Sequence, residues 1–178
     1  MSPPAAQPEL ETARLRLYPP RLADLEARLA MDRDPEVMRF IRPVSEDIEA
    51  DRQQLRERIQ GLVEPHQHFW HVERRDRPGF LGWCGVFALE DSGLIEIGYR
   101  YVRAAWGEGI ATEAAAAVLD YGFRALGIDP IVAVTHPDNR GSQGVLRKIG
   151  LRPAGQAFHY GQDLAFFRLS RSDYLAKD

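Results

Sequence analysis

Gly107 and Gly109 stand one residue apart in the segment "VRAAWGEGIATEAAAAVLDYGF", between a strand-like run and an alanine-rich helix. Glycine in a helix interior costs about 1 kcal/mol relative to alanine, so two of them beside seven alanines point to a need for backbone access. A turn of this kind leaves the first N–H groups of a helix unpaired and aimed outward, which is the chemistry of an anion cradle. The Walker A pattern ends in Gly-Lys-Ser/Thr, and no lysine is supplied here. The dinucleotide fingerprint G-x-G-x-x-G fails at its third glycine, where Thr112 stands, and the preceding strand alternates where a buried parallel strand would be continuously apolar. What remains is a short loop whose N–H groups hold a pyrophosphate, or else a plain helix start with two flexible residues.

The elements that must position this turn follow from the pattern. Residues 14–18 alternate and read as a first strand, stopped by Pro19-Pro20. Residues 24–31 and 35–41 read as short helices. Ser45 is a candidate N-cap for an amphipathic helix carrying Ile48, Leu55, Ile59 and Leu62. "HFWHVERR", "GFLGWCGVFAL" and "GLIEIGYRYV", separated by "DRPG" and "EDSG", predict an antiparallel meander. A helix over 110–126, a strand "IVAVT", a helix "NRGSQGVLRKIG" and two closing strands around "FHYGQDLAFFRL" complete a mixed α/β domain with one βαβ crossover. Alanines 111, 114, 115, 116 and 117 are expected to let the long helix press against the sheet.

Composition bounds the partners. At 178 residues and 44% hydrophobic, the chain suits a single domain over residues 10–178, with residues 1–9 as a loose tail. Lys+Arg and Asp+Glu number 23 and 26, so no long-range field draws the protein to nucleic acid or to anionic lipid. The single cysteine, Cys84, lies in an apolar strand and excludes an internal disulfide; with no apolar run of about 20 residues and no leader pattern, the expected location is cytoplasmic.

The sequence resembles the GNAT superfamily of acyl-CoA-dependent N-acetyltransferases, in particular its RimJ/RimL branch. The superfamily loop Gln/Arg-x-x-Gly-x-Gly/Ala is here Trp106-Gly107-Glu108-Gly109-Ile110-Ala111, which departs at the first position, where Trp106 replaces Gln or Arg, and resembles the branch form "WGxGxATEA". "LETARLRLYPPRLADLEA", "LGWCGVFAL", "IEIGYRY" and "HPDNRGSQGVLRKIGL" resemble further motifs of that branch in the right order. The resemblance implies the GNAT fold, a mostly antiparallel central sheet of about seven strands flanked by helices, in which the fourth and fifth strands splay apart. It implies acetyl-CoA as co-substrate, no metal, and a primary amine as acceptor, either a peptide N-terminus such as that of a ribosomal protein or a small molecule.

It also implies roles for particular residues. Tyr101, Val102 and Arg103 are expected to give main-chain contacts to the pantetheine, with the Val102 N–H facing the acetyl carbonyl, while Trp106, Gly107, Glu108, Gly109, Ile110, Ala111 and Thr112 wrap the pyrophosphate. Asn139 is an N-cap with a further implied bond to the pantetheine. The superfamily's usual acid, a tyrosine seven residues after that asparagine, is replaced by Leu146, which leaves Ser142 as the expected donor to the leaving thiolate. An amine with a pKa near ~8 to ~10 must lose a proton before it attacks, so a base is required. On the strand, Ile95, Ile97, Tyr99 and Tyr101 share one face and Glu96, Gly98 and Arg100 the other. Glu96 therefore reads either as that base, with room left beside it by Gly98, or as half of a cross-strand ion pair with an arginine. A catalytically silent acyl-CoA-binding module stays open as the alternative.

His66, His68 and His71 lie close together, but no third ligand or carboxylate marks a metal site; His68 or His71 is expected as a lining of the acceptor cleft. Phe40, Ile41 and Trp83 are candidate cleft walls or core. His159 and Tyr160 precede a hairpin turn at Gly161-Gln162 and read either as exposed hairpin residues or as residues that reach the acceptor cleft. Edge strands near the C-terminus make a homodimer an expectation.

Overall fold

The computed structural model describes residues 7–61 and 67–177. Eight strands form one sheet: β1 (Leu10–Glu11), β2 (Leu15–Tyr18), β3 (His68–Arg74), β4 (Gly82–Ala88), β5 (Ile95–Tyr101), β6 (Ile131–Thr135), β7 (Arg152–His159) and β8 (Gln162–Leu169). Their spatial order is β1-β2-β3-β4-β5-β6-β8-β7, antiparallel throughout except for the parallel β5–β6 pair. The meander and the crossover are thus where the pattern put them. The extra strand is the two-residue β1, which folds back on Arg16 and Leu17.

The helices are α1 (Leu25–Asp32), α2 (Pro35–Met38), α3 (Ile48–Gln60), α4 (Ile110–Arg124), α5 (Arg140–Lys148) and α6 (Arg171–Leu175). The cap of α3 is Asp47, whose Oδ1 accepts from Ala50 N at 2.9 Å; Ser45 lies two residues earlier, its Oγ accepting from Asp47 N at 3.1 Å. Leu62 and His66 lie outside the described residues.

The sheet is buried on both faces. One face of β2 to β6, including Leu15, Leu17, Val72, Val86 and Ile97, packs under α4 through Ile110, Ala114, Ala115, Val118, Leu119 and Phe123. Ala114 and Ala115 are fully buried, whereas Ala116 turns outward. Close approach is instead completed by Gly122, where a Cβ would meet Ile131 Cδ1 at 2.8 Å. The other face carries Trp83, Phe69 and Phe87 against Met31 and Val37 of α1 and α2. Because side chains alternate along β5, Ile97 and Tyr101 go to the α4 side while Glu96 and Arg100 go to the other.

Residues 7–9 are bonded to the body: Gln7 Nε2 donates to Phe69 O at 2.5 Å, and Pro8 O accepts from Trp70 Nε1 at 2.7 Å. The open edge at β7 carries Pro153 and a register irregularity before Gln156, features that discourage strand addition. Among the described residues no helix is long and apolar enough to cross a membrane.

Candidate active site

A cleft of about 1660 Å³ runs along the seam between β5 and β6, from the start of α4 to the helices α1 to α3. At its α4 end, Gly107 and Gly109 sit at φ +76° and +77°, the left-handed region that a residue with a Cβ enters only at a cost of about 1–2 kcal/mol. Gly109 is the N-cap of α4 and has no side chain with which to cap it. The first N–H that finds a helical partner is that of Glu113, bonded to Gly109 O at 3.0 Å, so the donors of Ile110, Ala111 and Thr112 remain at the positive end of the helix dipole.

What holds this turn lies far away in sequence. Glu113 accepts from Thr12 Oγ1 at 2.5 Å, from Arg14 N at 2.9 Å and from Arg14 Nε at 2.6 Å. Arg14 Nη1 also donates to Glu108 O at 2.9 Å. The Glu108 carboxylate is drawn off to Arg74, away from the cleft. A clasp between β1–β2 and the first turn of α4 therefore fixes the turn, and its one acid is drawn away from the helix N-terminus. Thr12 and Arg14 lie in a quoted motif, but no local pattern joins them to Glu113.

Tyr101, Trp106, Gly107, Gly109, Ile110, Ala111, Thr112, Asn139 and Ser142 all line the cleft; Val102, Arg103 and Glu108 do not. Arg103 reaches outward to Asp34 at 2.7 Å. Val102 N–H cannot serve the acetyl carbonyl, because it donates to Leu81 O at 2.9 Å. With Leu89 N bonded to Leu94 O as well, the β4 ladder uses the even-numbered residues of β5. The N–H groups of Tyr99 and Tyr101 consequently point to the β6 side, beyond the paired positions Ile95–Ile131 and Glu96–Val132. The Tyr101 carbonyl on that side accepts from Trp106 Nε1 at 3.0 Å.

Across the seam, Asn139 Oδ1 caps α5 through Ser142 N at 3.1 Å. Leu146 is buried. In its neighbourhood a tyrosine arrives from another element: Tyr99 OH donates to Ser142 O at 3.0 Å and lies 3.2 Å from Ser142 Oγ. Burial holds the Tyr99 hydroxyl protonated by raising its pKa. Tyr99 packs against the main core, and its reach across to the first turn of α5 brings the two hydroxyls together, a contact that no local pattern in the sequence signals.

Glu96 is 4% exposed, and burial lifts its pKa to about 7, a Tyr160 hydrogen bond holding it down and the charge of Glu90 pushing it up. Its partner is not an arginine: Tyr160 OH donates to Glu96 Oε1 from the tip of the β7–β8 hairpin. Glu90 anchors that tip, accepting from Tyr160 N at 3.1 Å and pairing with His159 Nδ1 at 2.7 Å. Gly98 leaves no open room beside Glu96. A Cβ there would stand 2.8 Å from Phe87 Cζ, so the glycine lets an aromatic floor of Phe69, Trp83 and Phe87 lie on the strand. Phe40 and Ile41 line the cleft. His68 stacks on Trp70 and His71 is buried beside Asp24; neither lines the cleft. The Cys84 thiol is fully buried, which raises its pKa and leaves it unsuited to attack.

Residues 14–152 match the acetyltransferase (GNAT) domain. The chain belongs to the GNAT acetyltransferases. Over 158 residues it is 35% identical to the uncharacterized N-acetyltransferase YoaA of Bacillus subtilis, covering 86% of this chain and 88% of that one. Its fold is similar to that of a GNAT-family acetyltransferase from Bacillus anthracis, with TM-score 0.79 and 23% identity over 93% of this chain and 99% of the other. It is also similar to Mycobacterium smegmatis RimJ in complex with CoA-disulfide, with TM-score 0.73 and 22% identity over 92% and 88%. The protein is an N-acetyltransferase, and the GNAT match contains the glycine turn, Glu96, Asn139 and Ser142 but ends at Arg152, the first residue of the hairpin that carries Tyr160.

Proposed function

We propose that this GNAT protein uses acetyl-CoA to acetylate a primary amine by direct attack, and that it falls in the RimJ/RimL branch, whose loop form "WGEGIATEA" it carries. The observation that bears most weight is one continuous cleft with an anion-binding turn at one end and a buried carboxyl of pKa about 7 at the other. Acetyl-CoA supplies the thioester. The N–H groups of Ile110, Ala111 and Thr112 suit its pyrophosphate, and the narrow β5–β6 seam suits the pantetheine arm. RimJ of M. smegmatis, which has the same fold, holds a CoA species, in line with this reading.

Glu96 takes the proton that the amine must lose; near pH 7 about half of it is ionised, the best compromise between availability and basicity. Tyr160 fixes the rotamer of Glu96 by donating to Oε1, leaving Oε2 for the amine. The oxyanion that develops on the acetyl carbonyl takes an N–H from Tyr99 or Tyr101, in place of Val102. As the carbon–sulfur bond breaks, the Tyr99–Ser142 hydroxyl pair donates to the departing thiolate, the work assigned in its relatives to the residue that Leu146 replaces. The test is calorimetric titration with acetyl-CoA, with NAD as control. Saturable binding of acetyl-CoA alone is expected; a folded sample that binds neither would overturn the reading.

A further inference from the structure

Beyond Phe87 the acceptor face of β5 ends in charge. Arg100 Nη1 donates to Asp32 Oδ1 at 2.6 Å, and Arg28 Nε lies 3.9 Å from Asp32 Oδ2. Both guanidiniums flank Trp83, at 5.7 and 5.6 Å from its ring, and all four residues line the cleft. Arg28 is 7% exposed and is held from behind by His71. A guanidinium can only donate, so His71 Nε2 accepts from Arg28 Nη1 at 3.2 Å and its proton sits on Nδ1, donated to Asp24 Oδ2 at 3.0 Å. Burial lowers the His71 pKa to about 4, so this histidine brings no charge.

The local balance is therefore uneven. Two guanidiniums share one carboxylate at Trp83, and exposed Arg58 lies close enough to Arg28 to repel it. Arg28 Nε, Arg100 Nε and Trp83 Nε1 are buried without a hydrogen-bond partner among the described residues. Such a surplus of buried positive charge is expensive unless a ligand completes it. Its size at the floor, one unit, matches a monoanion, and guanidinium groups pair best with a carboxylate.

We propose that the acceptor carries a carboxylate as well as its amine: the amine reaches Glu96, the apolar body lies on Phe69, Trp83 and Phe87, and the carboxylate is received by Arg28, Arg100 and Arg58. This rests on the acetyl-transfer reading for the amine end only. A polyamine is disfavoured, because a second cation would be placed against the guanidiniums.

The test uses matched acceptors in acetyl transfer whose amine and carboxylate stand at opposite ends of an apolar body: 4-(aminomethyl)benzoate against benzylamine, and 5-aminopentanoate against pentylamine, compared per free-base amine. The carboxylate-bearing member is expected to have a kcat/KM at least tenfold higher in one or both pairs. Arg100→Gln is expected to lower the favoured acceptor's kcat/KM at least tenfold more than that of its partner. Arg58→Gln, on an exposed site that leaves the fold intact, acts in the same direction by a few-fold. In a second arm, 3-phenylpropionate, which has ring and carboxylate without the amine, is titrated into the CoA-loaded protein by tryptophan fluorescence. Saturable binding weakened by both substitutions is expected. Phenylpropionate binding with no acetyl transfer to any amine would sink the transfer reading and leave the subsite standing. Transfer with equal kcat/KM within each pair, with preference for spermidine or a peptide N-terminus, or without phenylpropionate binding would overturn the subsite.

Discussion

The two ends of the cleft are made of different material. The α4 end is backbone: N–H groups presented by two left-handed glycines, with the side chains of Glu108, Glu113 and Arg14 serving as scaffolding on the outer side. The α1–α3 end is side chain: a carboxyl, an aromatic floor and guanidiniums contributed by β3, β4, β5, α1, α3 and a hairpin tip. A backbone site tolerates few changes and binds the part of a substrate that does not vary. A side-chain site can be re-specified one residue at a time, and on the proposed function this is the end that selects the acceptor.

The sharpest test of this division is Glu96→Gln. Turnover is expected to fall by at least a hundredfold while the calorimetric affinity for acetyl-CoA stays within about twofold; parallel loss of both would erase the distinction between the ends. Next comes the dependence of the acceptor end on a buried neutral histidine. The His71 pKa is about 4 in the fold against 6.5 when free, so the unfolded chain binds a proton that the folded one refuses. Its contribution is fully present above pH 6.5 and declines toward pH 4, by up to about 3 kcal/mol. Urea unfolding across that range is expected to show the slope, and His71→Gln to flatten it. At the other end, Gly109→Val forces a branched residue to φ +77° and pushes a Cβ to 3.3 Å from Arg14 Nη2. The dissociation constant of acetyl-CoA is expected to rise about tenfold, in line with 1–2 kcal/mol of strain, and kcat at saturating acetyl-CoA to change less than threefold. The smallest effect belongs to Tyr160→Phe. The kcat/KM profile should rise through about pH 7 in the parent, and removing a hydrogen bond that lowers the Glu96 pKa moves that midpoint upward by about half a unit to one unit. A downward move would mean that Tyr160 does not hold the base.

The same division explains what could be read from the sequence. The glycine turn was legible because its residues are contiguous and its requirement, a left-handed backbone, admits almost one residue type. Glu96 was legible from strand alternation. The Val102 assignment failed because facing depends on which of two alternating residue sets bonds to β4, and that register is set by the partner strand. Gly98 was misread as open space because the ring that fills it belongs to Phe87, on the neighbouring strand. For Tyr160 the sequence leaves cleft and exposed hairpin both open, because its anchor, Glu90, sits in a turn 70 residues away. Arg28 gave no signal at all, since an arginine on an amphipathic helix reads as solvated until His71 and Trp83 are placed around it.

The clasp of Thr12 and Arg14 on Glu113 has a practical bearing on how the protein is handled. Residues at the very front of the chain hold the first turn of a helix that begins almost a hundred positions later. Trimming past Thr12 for crystallisation, or fusing a bulky partner directly before Leu10, would alter nucleotide-end affinity without touching a residue of the glycine turn. A tag at the carboxyl end, beyond α6, leaves that clasp alone and is the safer choice for binding work.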